Sequence, residues 1–442
     1  MKQIVRCNVF MLMTILTWVA WPSAALSKAA IPEVEGLVTE ALEHNPDLKA
    51  SEEQWQIMLA RAEQAGALDD PIMMVGIQNG LLKDPLSFDQ STMTAKVIGI
   101  SQKIPFYGKR DLMKMAARQG AEAEHWLVAE RRLTLQRLIK ANWARLYRAD
   151  RSLETVQKTL LVLEDLIGLA ESMYSVGTSP QQDVFQVQLQ RSKMEEMRIL
   201  LVEQRKSLST LLNSLAARSQ TTLYPTLPRL KPKNYVFAPD QLEQLALNNR
   251  PILKALHARI EKSDTGIRLA QRDFYPDFTV SLEYMQREPT MSSAGDDMYG
   301  AKLSFNLPIQ RDRRSAKVTE MEAERRKGVW DREERKNQIR QALSEALARL
   351  ERSQKLIRLY RQGILAQAEG AAESALAGYR SGESEFSKVL AARMLQFDNE
   401  RAYHSAVADQ QMQLAILEEI VGGELPKQLG RTKVQIKRKM GN

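Results

Sequence analysis

Cysteine is almost missing from this chain, and that absence sets the first limits on what the protein can be. Of 442 residues only Cys7 carries a thiol. It lies ahead of an apolar stretch near the N-terminus, so the body of the chain has neither a disulfide nor a cysteine metal site. Long apolar runs are lacking too. After the first thirty residues none reaches the roughly 18 to 20 residues that a membrane-spanning helix needs. A β-barrel stays open, because its strands alternate polar and apolar residues and leave only a weak hydropathy signal. Histidine is scarce. His44, His125, His257 and His404 share no i, i+4 or other ligand spacing, so no zinc site is expected. There is no phosphate-cradling glycine loop and no nucleophile elbow. The many Asp and Glu residues lie along charged helix faces, where solvation accounts for them. The reading is therefore of a protein that is not an enzyme and uses no cofactor.

The N-terminus is a secretory signal by pattern. Lys2 and Arg6 give the positive start, Val9 to Trp21 the apolar stretch, and Ser23-Ala24-Ala25 or Ala25-Leu26-Ser27 the small residues for cleavage. We take 1–27 as the leader. The formal charge of +9 is concentrated at the ends. Two cations leave with the leader, and within the basic tail 423–442 the stretch from Leu425 to Asn442 holds Lys427, Arg431, Lys433, Lys437, Arg438 and Lys439 with no acid, which leaves about +1 for the body. The basic balance thus gives no reason to expect nucleic acid as a partner. Methionine is dense at Met73, Met74, Met93, Met285, Met291 and Met298. Thioethers suit Cu(I), but in strand segments they more simply fill apolar and lipid-facing positions. Trp126 and Trp143, on the long helix, read as packing residues.

Comparing the chain with itself is more informative. Leu48-Lys49-Ala50 recurs as Leu253-Lys254-Ala255, and Pro46, Pro71, Tyr174 and Gly177 map onto Pro251, Pro276, Tyr379 and Gly382 at one offset of 205. Pro105 and Arg110 map onto Pro308 and Arg313 at 203. The chain is one unit written twice: 28–223, a Pro/Lys-rich linker over 224–238, and 239–422. Each unit predicts a helix (Val34 to Gly66; Pro239 to Arg272), two short strands, a very long helix, a glycine-containing turn and a returning helix. The strands are predicted at Ile72 to Asn79, Met93 to Ile104, Phe278 to Tyr284 and Tyr299 to Leu307, from period-two alternation that is clean in the second unit and weaker in the first. The long helices carry heptads: Ile139, Leu146, Leu153, Leu160, Ile167, Tyr174; Val187, Met194, Leu201, Leu208, Leu215; and Leu343, Leu350, Ile357, Ile364, Ala371. A helix over Lys109 to Tyr174 is about 100 Å long at 1.5 Å per residue, which suits a stalk or a tube and not a compact domain.

Four amphipathic strands pose a problem of closure. An open sheet edge cannot sit in lipid, and the smallest closed membrane barrels have about eight strands. One chain supplies four, so copies must assemble, and the residues leave two or three copies open.

The order of Asn45-Pro46, Ser101-Gln102-Lys103-Ile104-Pro105 before Gly108-Lys109-Arg110, Tyr174-Ser175-Val176-Gly177-Thr178 and Gly378-Tyr379-Arg380-Ser381-Gly382, together with its duplication, resembles the TolC-type outer-membrane efflux proteins over about Pro32 to Gly422. Gly66 to Pro71 and Ile98 to Arg110 look similar to the branch paired with heavy-metal pumps of the resistance-nodulation-division class. The resemblance implies a mainly α fold with a small membrane β part. It implies a homotrimer with a twelve-stranded barrel among outer-membrane lipids and a helical tube in the periplasm. A periplasmic adaptor (membrane fusion protein) and an inner-membrane pump are the implied partners, and passive export of metal ions or drugs the implied role. It also implies a gate at the periplasmic tips, where acidic residues ring the opening and a tyrosine helps to close it. Asp183, six residues after Gly177, matches the acidic position and Tyr379 the tyrosine, with Tyr174 as its counterpart. The position six after Gly382 is Lys388 and not an acid, and a neighbouring basic position is Ser384. We therefore expect inter-hairpin ion pairs between Asp183 and Lys388, with Glu383 and Glu385 nearby. A duct for protein secretion by an ABC exporter, or a pore-free periplasmic coiled-coil scaffold, are the alternatives.

Overall fold

Proline decides where the first helices end. The computed structural model describes residues 34–426, so the leader 1–27 and nearly all of the basic tail lie outside the described residues. The single helix expected over Val34 to Gly66 is two, α1 Val34–His44 and α2 Pro46–Ala65. Pro46 forces the residue before it out of the helical region. Asn45 is extended (φ −62°, ψ 122°), and its side chain accepts from the Leu48 N–H at 3.0 Å, capping α2. Its amide also donates to the Leu215 carbonyl at 2.9 Å. The second unit breaks in the same way at Arg250 (φ −60°, ψ 119°), giving α5 Pro239–Asn249 and α6 Pro251–Arg272 where one helix is predicted.

Four antiparallel strands, β1 Ile72–Gln78, β2 Ala95–Ile104, β3 Phe278–Gln286 and β4 Met298–Phe305, form one sheet in the order β1-β2-β3-β4. The two units are joined edge to edge by β2 and β3. β1 stops short of its predicted end because Asn79 turns the chain at φ 54°, and its amide and carbonyl bond Met93 and Thr94 across the loop. β4 stops before Asn306, whose side chain accepts the Asp277 N–H at 2.6 Å.

Below the sheet run α3 Lys109–Ser175 and α4 Gln181–Leu215 in the first unit. The second unit has α7 Arg311–Leu359, a π-helical segment Tyr360–Ile364, α8 Leu365–Arg380 and α9 Phe386–Val421. Lys109 is buried at the junction of sheet and helices, between Asp273 (3.1 Å) and Asp277 (2.9 Å). Asp277 also accepts from the Phe106 N–H, so the carboxylate ties both units where strands become helices.

Three apolar clusters lie along the helices. One, at mid-height, gathers Leu37, Ile139, Leu146, Tyr147, Leu212, Leu227 and Val407. A second packs α5, α6, α7 and α9 around Leu343, Leu350 and Leu417. The third holds the hairpin tips. The heptad of the second outgoing helix runs as predicted through Leu343, Leu350 and Ile357, all buried. It then slips: Ala371 is exposed and Ala372 is buried. The cause is the π segment, in which the Leu365 N–H bonds the Tyr360 carbonyl five residues back. The extra residue advances the buried stripe by one.

Candidate functional site

Two features stand out as functional: the sheet with its open edges, and the pair of hairpin tips.

In the sheet, register fixes the faces. Ile98 pairs with Tyr284, Ile100 with Leu282, and Val280 with Leu303. These side chains share one face with Val75, and they are exposed. The alternate positions carry Ser101, Ser281, Lys302 and Glu283. One side of the sheet is thus largely apolar, while the other mixes these polar residues with Ile72, Met74, Val97, Met285 and Met298, and β1 and β4 each leave an edge without a partner strand within the chain. No described helix is long and apolar enough to cross a membrane.

At the tips, glycine supplies the turn. Gly177 (φ 75°) and Gly382 (φ 78°) take the left-handed conformation that a side chain disfavours. Behind each, the chain closes on the helix end: the Thr178 N–H bonds the Met173 carbonyl (3.0 Å) and the Glu383 N–H the Gly378 carbonyl (2.8 Å). The turns seat Val184 and Val187 on α4 and Phe386 and Val389 on α9 in one buried cluster with Leu163, Leu166 and Ala170 of α3. Tyr379 enters this cluster at 5% exposure and meets the Phe386 ring edge-on, 5.1 Å between centroids.

A polar thread through the cluster joins the two hairpins. Tyr379 Oη donates to Ser179 Oγ at 3.1 Å, and Ser179 Oγ donates to Asp183 Oδ2 at 2.5 Å. A charge-assisted bond at one end and a buried phenol at the other make this a strong local link. The predicted Asp183 and Tyr379 are therefore brought together by a residue that sequence reasoning missed. Ser179 stands just before Pro180, outside the N-cap of α4 and four residues ahead of Asp183, where a capping box has a spacing of three, so no signal for it was legible in the sequence.

The other predicted residues are arranged differently. Tyr174 is 47% exposed at its tip. Glu383, Glu385 and Lys388 are exposed. Glu385 accepts from Ser387 Oγ (3.2 Å). Among the described residues Lys388 forms no ion pair, so the expected Asp183–Lys388 pair is not made within one chain, where Ser179 holds the Asp183 carboxylate instead.

No described cluster of His, Cys, Asp and Glu has the form of a metal site. His404 packs under Tyr147, its Nδ1 3.3 Å from the phenol oxygen. Burial, followed by the Arg151 and Arg229 cations, pushes its pKa down to about 4. Trp143 meets Tyr224 edge-on at 5.9 Å, and Lys254 lies over Trp126 at 4.5 Å, so both tryptophans pack.

Comparison with known proteins adds to this geometry. The family described as outer membrane efflux protein matches residues 37–218 and again 242–423. A search of curated proteins gave no match. Among solved structures, the chain is similar to the outer membrane protein VceC of Vibrio cholerae (TM-score 0.74, 21% identity, 88% of this chain and 96% of that one). It is similar to CusC, described for its transmembrane channel formation (0.74, 18%, 88% and 92%). It is also similar to the open-state MtrE outer membrane channel of Neisseria gonorrhoeae (0.70, 17%, 89% and 89%). At these identities the likeness is one of fold.

Proposed function

The chain belongs to the outer membrane efflux protein family, and on that premise we propose that three copies form a passive exit duct across the outer membrane. Three four-stranded sheets close into a twelve-stranded barrel, and the helices close into a tube that extends into the periplasm. The observation that carries this reading is the sheet. Its apolar face and two unpaired edges are stable in lipid only when neighbouring copies pair the edges. A pore-free scaffold has no use for such a face.

The duct has no energy source of its own. A periplasmic adaptor engages the tube, and an inner-membrane pump, of the resistance-nodulation-division class by the sequence resemblance, supplies the work and selects the cargo. Heavy-metal ions or drugs are the cargo this resemblance favours.

The tips are the gate. MtrE, which has this fold, has an open state, and in this chain the Tyr379–Ser179–Asp183 thread is the closed arrangement within a subunit. Lys388, exposed and without an ion pair among the described residues, meets an acidic residue of the neighbouring copy, Asp183, Glu383 or Glu385. The test has two parts. The protein should fractionate with the outer membrane as a trimer, and a soluble periplasmic monomer would sink the duct. Lys388→Glu should raise the resting single-channel conductance severalfold, and an unchanged value in a folded trimer would remove Lys388 from the gate.

A further inference from the structure

Each side of this chain lacks the neighbour that the other side could supply. In the lower half the helices lie in the order α4, α3, α9, then α7 and α8, since α4 packs chiefly on α3, α3 on α9, and α9 on α7 and α8. The sheet runs in the same sense, from β1 of the first unit to β4 of the second. Both layers therefore end on the first unit at one side and on the second unit at the other. Inside the chain, an outgoing helix of one unit meets the returning helix of the other at α3 and α9. On its outer side α4 has no such outgoing helix, and α7 and α8 have no such returning one.

The duplicated residues show what is left bare. Leu390 and Met394 of α9 are partly buried in the tip cluster. Their counterparts at the offset of 205 are Phe185 and Leu189 of α4, and both are 59% exposed. They lie one turn apart on one face, turned away from the buried Val184 and Val187. The same face exposes Ile199 and Leu200 about three turns on. At the other side of the chain, α8 buries Ala368, Ala372 and Tyr379 and exposes Ala366, Gly370, Ser374 and Ala377 on its far face. At Gly370 a Cβ would meet nothing within 4 Å, so no part of the chain itself fills this shallow face.

The two faces match in height. At 1.5 Å per residue, Phe185 and Leu189 stand about 6 and 12 Å above the start of α4, and Ala377, Ser374 and Gly370 about 5, 9 and 15 Å above the end of α8. Lys193 and Glu369, both exposed and in no ion pair among the described residues, come level just above. Higher still, Leu359 of α7, also exposed, comes nearly level with Ile199 and Leu200.

We propose that these faces are the two halves of one seam and that a second copy of this chain occupies each. Phe185 and Leu189 of one copy pack onto the small-residue face of α8 in the next, and Lys193 pairs with Glu369 above them. Because the two faces differ, each copy uses one toward each neighbour, and the contact closes a ring. The inference rests on reading the chain as part of a closed assembly of copies.

No cysteine follows Cys7, so engineered thiols report cleanly. In a full-length Cys7→Ser background, Leu189→Cys is combined in turn with Gly370→Cys, Ala371→Cys and Ser374→Cys, and the purified trimer is oxidised with no other protein present. At least one pair should give covalent dimer and trimer, and Leu189→Cys alone should give neither. A second test needs no thiol. Gly370→Leu has room within one chain, yet it should lower the temperature at which the detergent-solubilised trimer dissociates, and adding Leu189→Ala should restore part of the loss. A folded trimer in which no pair links, in which the link stays within one chain, or in which Gly370→Leu changes nothing would remove this seam and leave the duct standing. If Leu189→Cys labels freely with maleimide in the purified trimer and is protected only when a periplasmic adaptor is added, the face belongs to the adaptor and the proposal is overturned. A parental chain that is folded but monomeric would remove the duct, and the seam with it.

Discussion

The two hairpins begin from the same plan and end differently. Each outgoing helix packs a heptad seam at mid-height, each turns on a left-handed glycine, and each returning helix buries a valine near its start, Val184 or Val389. At the tips the symmetry fails. Tyr174 looks outward, while Tyr379 is sealed against Phe386 and bound to Ser179 of the other hairpin. Gln181, the counterpart of Phe386, is exposed. Duplication thus supplies the hairpin twice, and changes at one tip, phenylalanine at 386 where the first unit has Gln181 among them, supply the contact that fastens it. A ring of near-identical helices needs such a break if some of its contacts are to hold it shut while others stay indifferent.

The comparison breaks most severely at the middle of the molecule. Asp150 on α3 and Gln354 on α7 each accept a backbone N–H of the linker, Leu227 at 2.8 Å and Tyr235 at 2.7 Å. Asp150 is also paired with Arg205 at 2.6 Å and is almost fully buried. Asp150→Ala leaves the Arg205 charge without its partner and should cost about 3–5 kcal/mol. Gln354→Ala should cost about 1–3 kcal/mol, for buried polar groups left unmet. Denaturant unfolding of both variants checks the order, and equal costs would remove the charge from the account.

At the tips the expected difference is smaller and more telling. Tyr379→Phe should weaken the seal by about 1 kcal/mol, one hydrogen bond, and raise resting conductance. Tyr174→Phe should change nothing measurable, since the residue is about half exposed and its hydroxyl makes no hydrogen bond among the described residues. Similar effects at both would mean that the burial of Tyr379 has no part in closing the tip.

A further effect is one of pH. His404 has its folded pKa depressed to about 4 from an ordinary 6.5, so between those values the unfolded chain binds more protons than the folded one. Stability contributed by the neutral ring is whole above about pH 6.5 and declines as pH falls toward 4. The thermal midpoint should drop over that range, and His404→Leu should flatten part of the drop. A variant with the same slope as the parent would place the titration elsewhere.

Much of this fold is legible in the sequence. Heptads mark the long helices because packing demands that periodicity, and alternation marks the strands because one face must be apolar. Pro46 and Pro251 are equally visible, yet the helices they divide are easily read as single, since apolar periodicity continues across the break while the backbone does not. The π segment escapes because a heptad count from Leu343 to Ala371 gives no sign that the turn has widened; only the mismatch between Leu343 and Tyr379 reveals it. Ser179 and the Asp150–Arg205 pair are invisible for another reason. Their partners lie far along the chain, and a single serine or aspartate carries no pattern until the helices are placed side by side.

The central claim is that the assembled chain is a duct held nearly closed at its helix tips, and single-channel conductance of the purified full-length protein in a planar bilayer tests it most directly. A small, steady conductance from the trimer, rising in Tyr379→Phe, is the result the account predicts. Protein that is folded and trimeric but passes no current in either form would contradict it.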